Sequence, residues 1–139
     1  MPFWRLYYHL VWATKERRPL ITGNIEAEVH GHLTGKADAL DAIVHAVGGI
    51  DDHVHMLVSI PPKVSVSDFV GHLKGASAFH INHMPDSLGN FGWQRSYGAI
   101  SVGPAGLARA IAYVRNQKEH HAQGTTIEAL ERIDAEEDE

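Results

Sequence analysis

Taken alone, the sequence predicts an α+β fold in which one antiparallel sheet carries packed helices in the order βαββαβα. Three observations predict it. Alternating apolar residues mark a first strand near the N-terminus and another around residues 52–60, three segments show helical spacing, and a glycine-bearing turn joins the second and third strands.

The first strand is read from Leu6, Tyr8, Leu10 and Trp12, which alternate with Tyr7, His9 and Val11; the polar run Lys15-Glu16-Arg17-Arg18-Pro19 then ends it. Asn24 is suited to cap a helix running to about Leu40. Ala42 to Val47 reads as a second strand, turning through Gly48 to Asp52 into a third. In that third strand Val54, Met56, Val58 and Ile60 make one apolar face, while His53, His55, Leu57 and Ser59 line the other. A second helix from about Ser67 to His83 turns Phe69, Val70, Leu73, Ala76 and Phe79 or His80 toward a core. Gly98 to Val102 makes a short fourth strand. The last helix, Pro104 to His121, starts with proline in its first turn and keeps Leu107, Ala110, Ile111 and Val114 at helical spacing. This order is close to the ferredoxin-like, or RRM-like, pattern.

At 139 residues and 44% hydrophobic content the chain is sized for one domain with one core. It has no cysteine, which excludes a disulfide framework and a zinc–thiolate site. No apolar run approaches a membrane span and the first residues lack a signal-peptide pattern, so a cytoplasmic protein is expected. The net charge of −5 is concentrated at one end. Residues 128–139 hold seven acidic residues and one basic residue, which leaves 10 acidic and 11 basic residues, or +1, in 1–127. The expected organisation is one domain over 1–125 and an acidic, flexible tail over 126–139.

His53-Val54-His55 puts two imidazoles on one strand face, the spacing with which a protein presents two metal ligands. Taken alone, the same pair is better read as two partly buried structural histidines. Tyr113 and Gln117 lie four apart on the last helix and share a face. A phenol nucleophile and an amide oxygen able to bind a hard cation would then enter one cleft. Two imidazoles and one amide oxygen leave open positions on octahedral Mg²⁺ or Mn²⁺ for phosphate oxygens.

Together these segments resemble the single-tyrosine HUH transposases, small transposases of insertion sequences that move as single-stranded DNA, and the related group acting on repetitive extragenic palindromes. The resemblance runs from about Phe3 to His121. It rests on Tyr7-Tyr8-His9-Leu10-Val11-Trp12-Ala13-Thr14-Lys15, Asp52-His53-Val54-His55-Met56-Leu57, Leu73-Lys74-Gly75-Ala76-Ser77, Gly92-Trp93-Gln94-Arg95-Ser96-Tyr97-Gly98 and Tyr113 to His121. It implies Tyr113 as nucleophile, and His53, His55 and Gln117 as ligands of Mg²⁺ or Mn²⁺. It implies cleavage and rejoining of single-stranded DNA through a 5′-phosphotyrosine link, with hairpin-forming element ends as substrate. It also implies a homodimer whose active sites are shared between subunits.

Beside that core set, Asp52 is placed to hold the tautomer of His53 or to finish a turn. Lys15, Arg17, Arg18, Lys74, Arg95, Arg115 and Lys118 are candidates for phosphate contacts. The alternative reading is a domesticated DNA- or RNA-hairpin-binding module of the same fold that no longer transposes. A metal-dependent hydrolase using HxH and carboxylates is disfavoured by the short chain, which lacks the length of a larger barrel.

Overall fold

Every residue of the strand His53–Ser59 is buried, because helices cover both faces of the sheet it belongs to. The computed structural model describes residues 2–135. In chain order its strands are β1 (Tyr7–Ala13), β2 (Ile43–Ile50), β3 (His53–Ser59) and β4 (Gly98–Val102); its α-helices are α1 (Asn24–Ala39), α2 (Val66–Asn82), α3 (Leu107–Arg115), α4 (Gln117–Gln123) and α5 (Glu128–Glu131). The sheet order is β2-β3-β1-β4 and each neighbouring pair is antiparallel. The α+β fold with an antiparallel sheet and packed helices is as expected.

Period-two alternation sorts the side chains into two layers. On one face Leu10, Trp12, Val54, Met56, Val58 and Ile60 pack with Val29, Leu33 and Ala37 of α1 and with Phe69, Val70 and Leu73 of α2. The other face is thinner. There Leu57 and Ala46 meet Val114 of α3, and Val11 and Ala13 meet Ile133 near the C-terminus. This second face also carries His9, His53 and His55, so the cover of the thinner face decides who reaches the histidines.

Several local expectations are corrected. β2 does not end at Val47, and Gly48 and Gly49 belong to the strand while Asp51 and Asp52 turn. A β-carbon on Gly48 would stand 1.9 Å from the Val114 carbonyl oxygen, and one on Gly49 2.2 Å from that of His53. The glycines are there for close approach, not for turning. Asn24 is the first helical residue of α1 and Gly23 takes the cap position. α2 begins one residue early because Ser65 Oγ accepts the Asp68 N–H at 3.1 Å, a cap worth about 1 kcal/mol. Ser77 and Ile81 complete the buried stripe of α2, and Phe79 is turned out, 65% exposed and stacked on His83.

The final helix is also not continuous. Asn116, at φ −102° and ψ 26°, separates α3 from α4. The Gln117 side-chain amide donates back to the Tyr113 carbonyl at 3.3 Å across the break. Tyr113 and Gln117 therefore share a cleft from two helices, not one helix face. The acidic segment is also not a free appendage throughout. Its first part forms α5 and buries Ile133 against the sheet, while residues 136–139 lie outside the described residues.

Candidate active site

β3 aims His53 and His55 at the side covered by α3, α4 and α5, and both are buried. His53 Nδ1 lies 2.7 Å from Asp52 Oδ1, so its N–H donates to the carboxylate and its Nε2 is left for the cleft. His55 is held from behind in the same manner, its Nδ1 2.8 Å from Nε2 of His9 on β1. Gln117 Oε1 stands 3.4 Å from His53 Nε2, and His121 Nε2 stands 3.2 Å from the same Gln117 oxygen. Tyr113, Gln117, His53 and His55 are thus brought together, with Asp52 against His53.

Glu131 closes the ring. Its Oε1 lies 3.2 Å from Nε2 of His53, 3.2 Å from Nε2 of His55 and 3.1 Å from Nε2 of His121. Its Oε2 accepts the Tyr113 hydroxyl at 2.5 Å. The backbone N–H of Ile127 donates to the same tyrosine oxygen at 2.9 Å, and the tyrosine ring stacks on His120 with centroids 4.7 Å apart.

These donors fit a divalent cation. One metal-binding atom from each of His53, His55 and Glu131 lies within 4.8 Å of the others. Neighbouring ligands on an octahedral ion with bonds of about 2.1 Å are about 3 Å apart, close to the spacings around Glu131 Oε1. Two imidazoles with amide or carboxylate oxygen form a borderline-to-hard donor set suited to a divalent cation.

The electrostatics follow from burial and this carboxylate. Burial pushes His9 down to about 3, with His55 adding to the shift, so His9 is neutral at physiological pH. His55 is lowered, chiefly by burial. Burial also works against charging His53, but hydrogen bonds to Glu131 and Asp52 outweigh it and raise His53 above the ordinary imidazole value. Burial alone would raise Glu131; its bonds with His53 and His55 prevail and hold it far below the usual carboxylate range. Tyr113 is raised, first by burial and then by its bond to Glu131.

The predicted phosphate-contact residues divide. Lys15, Arg17 and Arg18 follow β1 on the surface, with Arg18 paired to Glu16 at 2.8 Å. Arg95 and Arg115 are exposed, and Lys118 is exposed but paired to Glu26 at 2.8 Å. Lys74 is turned inward. It donates to the carbonyls of Gln94, Arg95 and Ser96 at 2.8, 3.3 and 2.8 Å, and burial lowers it to about 8. Its first job is to hold the 94–96 loop on α2.

Three residues of the cluster were not anticipated. His9 had a signal, since it shares the strand-face alternation of Val11 and Ala13, but its partner depends on the β1–β3 register that pairs Val11 with His55. His121 sits on α4, beyond the break at Asn116. Glu131 was part of an acidic run whose composition gives no sign of docking.

Comparison with known proteins shows which family the chain belongs to. The family model described as "Transposase IS200 like" matches residues 2–117. The chain belongs to the IS200-like transposase family. It is 32% identical over 129 residues to the transposase for insertion sequence element IS200 of Salmonella typhimurium, covering 89% of this chain and 84% of that one. It is 32% identical over 122 residues to the ISDra2 transposase TnpA of Deinococcus radiodurans, covering 82% and 85%. A crystal structure of a Deinococcus radiodurans protein described as a transposase superposes with a TM-score of 0.63 at 30% identity, covering 84% of this chain and 93% of that one. A REP-associated tyrosine transposase bound to a REP hairpin shares the fold at 12% identity, with a TM-score of 0.63 and coverage of 91% and 76%. The family resemblance read from the motifs is therefore correct, and this transposase carries its Tyr113 and histidine pair inside the matched span. His121 and Glu131 lie beyond it. No helix among the described residues is long and apolar enough to cross a membrane.

Proposed function

We propose that this transposase cleaves and rejoins single-stranded DNA with Tyr113 as nucleophile. The observation that carries the reading is the meeting of Tyr113, His53, His55 and Gln117 in one buried cleft, the two ring centroids of Tyr113 and His55 being 6.0 Å apart. The phenol oxygen attacks the scissile phosphorus, the bond from phosphorus to the 3′ oxygen breaks, and the phenolic proton is balanced by the one gained at the new 3′-hydroxyl. The 5′ end remains on Tyr113 as a phosphotyrosine diester. A second 3′-hydroxyl reverses the step, so the energy of the bond is retained and no nucleotide cofactor is needed.

His53, His55 and Gln117 would hold Mg²⁺ or Mn²⁺, and Glu131 is an additional oxygen donor beside them. When bound, such an ion supplies Lewis-acid polarisation of the phosphate and neutralises charge on its oxygens. Asp52 orients His53 and His9 orients His55, so that both Nε2 lone pairs face the cleft. Lys15, Arg17, Arg18, Arg95, Arg115 and Lys118 are the residues offered to the DNA backbone. Hairpin-forming element ends are the substrate, a reading supported by the hairpin held by the REP-associated neighbour.

A homodimer is part of this proposal, but the seating of α3 on its own β2 through Gly48 favours a site completed within one chain. The binding-module reading is the alternative, since the same sheet and surface cations would serve to hold a hairpin without any strand transfer. Incubation with labelled single-stranded oligonucleotides from the flanks of its gene, with Mg²⁺ or Mn²⁺, separates the two. A covalent adduct on denaturing electrophoresis, lost in Tyr113→Phe and with chelator, is expected; binding without adduct would favour the binding module.

A further inference from the structure

On the other side of the sheet from the β3 histidines, α1 and α2 carry a second group of imidazoles. We propose that Glu28 and His32 of α1 and His80 of α2 form a site for a borderline divalent transition ion such as Zn²⁺, which ties the two helices together and is separate from the catalytic centre.

A preset pair of ligands is the first support. His80 Nε2 lies 2.9 Å from Glu28 Oε2 across the gap between the helices. Neighbouring ligands in a zinc tetrahedron with bonds of about 2.0 Å are about 3.3 Å apart, so the pair needs only a slight opening to admit the ion. The proton shared between them is released to solvent as the ion binds.

The second support is His32. It is four residues from Glu28 on α1, so the two share a helix face. Its ring lies flat on that of His80, with centroids 4.3 Å apart and planes 8° from parallel. Among the described residues no hydrogen bond holds either of its ring nitrogens. Burial first, and then His80, lower His32 from the ordinary imidazole value against the pull of Glu28, which leaves a lone pair available at neutral pH. The ring is half-buried, and one turn about its side-chain bonds takes it from stacking on His80 to standing beside it as the third ligand.

The third is room and donor type. His32 and His80 line an open cleft of about 510 Å³ together with Ala76, Phe79, His83 and Met84, space for the ion and a water in its fourth position. The chain has no cysteine, so no thiolate competes with the imidazoles for such an ion. Two imidazoles and one carboxylate suit Zn²⁺, whereas Mg²⁺ prefers an all-oxygen shell. Because the ligands come from two helices that meet only in the folded chain, binding adds directly to stability.

The test is calorimetric titration of the full, tag-free chain with Zn²⁺ at neutral pH. The parent should take up one equivalent more than Glu28→Ala, His32→Ala or His80→Ala. His72→Ala, which removes an exposed α2 imidazole outside the cleft, should match the parent. A His53→Ala/His55→Ala background separates this site from the catalytic one. There Zn²⁺ at about a hundred times its dissociation constant should raise the melting temperature by about 5–10 °C, and adding His80→Ala should abolish the rise. Equal stoichiometry in the parent, His32→Ala and His80→Ala would overturn the proposal, as would a Zn²⁺-dependent rise that survives His80→Ala in that background. Loss of an equivalent in His72→Ala would also overturn it, because binding would then belong to surface histidines at large.

Discussion

Gly48 of β2 sits directly beneath the backbone carbonyl of Val114, so close that a β-carbon would meet that oxygen at 1.9 Å. One turn of helix therefore rests on bare strand, and Tyr113 is the neighbour of the residue that makes the contact. The position of Tyr113 is set by a missing side chain 65 residues away in sequence.

Gly48→Ala should lift α3 from the sheet. The expected cost is about 1–3 kcal/mol, the usual range for overpacking a tight contact, with a larger fractional loss of DNA cleavage than of melting temperature. Gly31→Ala, inside α1 where a β-carbon meets nothing within 4 Å, is the control: it should leave cleavage unchanged and raise stability by up to about 1 kcal/mol. Normal cleavage by Gly48→Ala at normal stability would show that α3 is not positioned through this contact.

His9 links stability to pH. Its folded value is lowered to about 3 from an unfolded value near 6.5 by burial, with His55 adding to the effect. Between those values the unfolded chain takes up a proton that the folded chain refuses. The stability gained by keeping His9 neutral is complete above pH 6.5 and is lost as pH falls toward 3. His9→Leu should flatten the acid limb of a plot of melting temperature against pH; an unchanged slope would remove His9 as a contributor.

The same residue should matter for metal. With its backing partner gone, His55 is free to turn or to change tautomer, and loss of such a partner commonly costs about 10- to 100-fold in metal affinity. Calorimetric titration of His9→Leu with Mn²⁺ should show a weakening of that order, and Asp52→Asn should show the equivalent effect through His53. Parent-like affinity in both would argue against these orienting roles.

Lys74→Met should loosen the loop at residues 94–96, whose three carbonyls it holds, without removing a phosphate contact. The expected result is faster amide exchange in that loop, with the dependence of DNA affinity on salt retained. If Lys74 touched phosphate, its loss would reduce the slope of log affinity against log salt by about one.

A mixed preparation of His53→Ala and Tyr113→Phe subunits distinguishes the two ways of building the site. Seating of α3 on its own sheet predicts no recovery of adduct formation on mixing. Recovery would establish exchange of α3 between subunits, as the family resemblance implied.

Much of this was legible in the order of residues. Alternation along 7–13 and 53–59 sorted the two strand faces correctly, and the spacing of His53 and His55 put both imidazoles on one side, because a strand's period of two is local geometry. Tyr113 and Gln117 were also found by spacing, although the break at Asn116 changed how they meet. Other features belong to contacts between distant segments. Gly48 and Gly49 read as a turn because their real reason is the backbone packed against them. Glu131 read as solvated charge because composition reports the cost of burying a carboxylate but not the imidazoles that offset it. The sequence by itself determined the sheet, its faces and the family motifs, since these follow from periodicity and residue type. Only the tertiary structure decided that His9 backs His55 and that Glu131 closes the site, because register and burial exist only once the segments have come together.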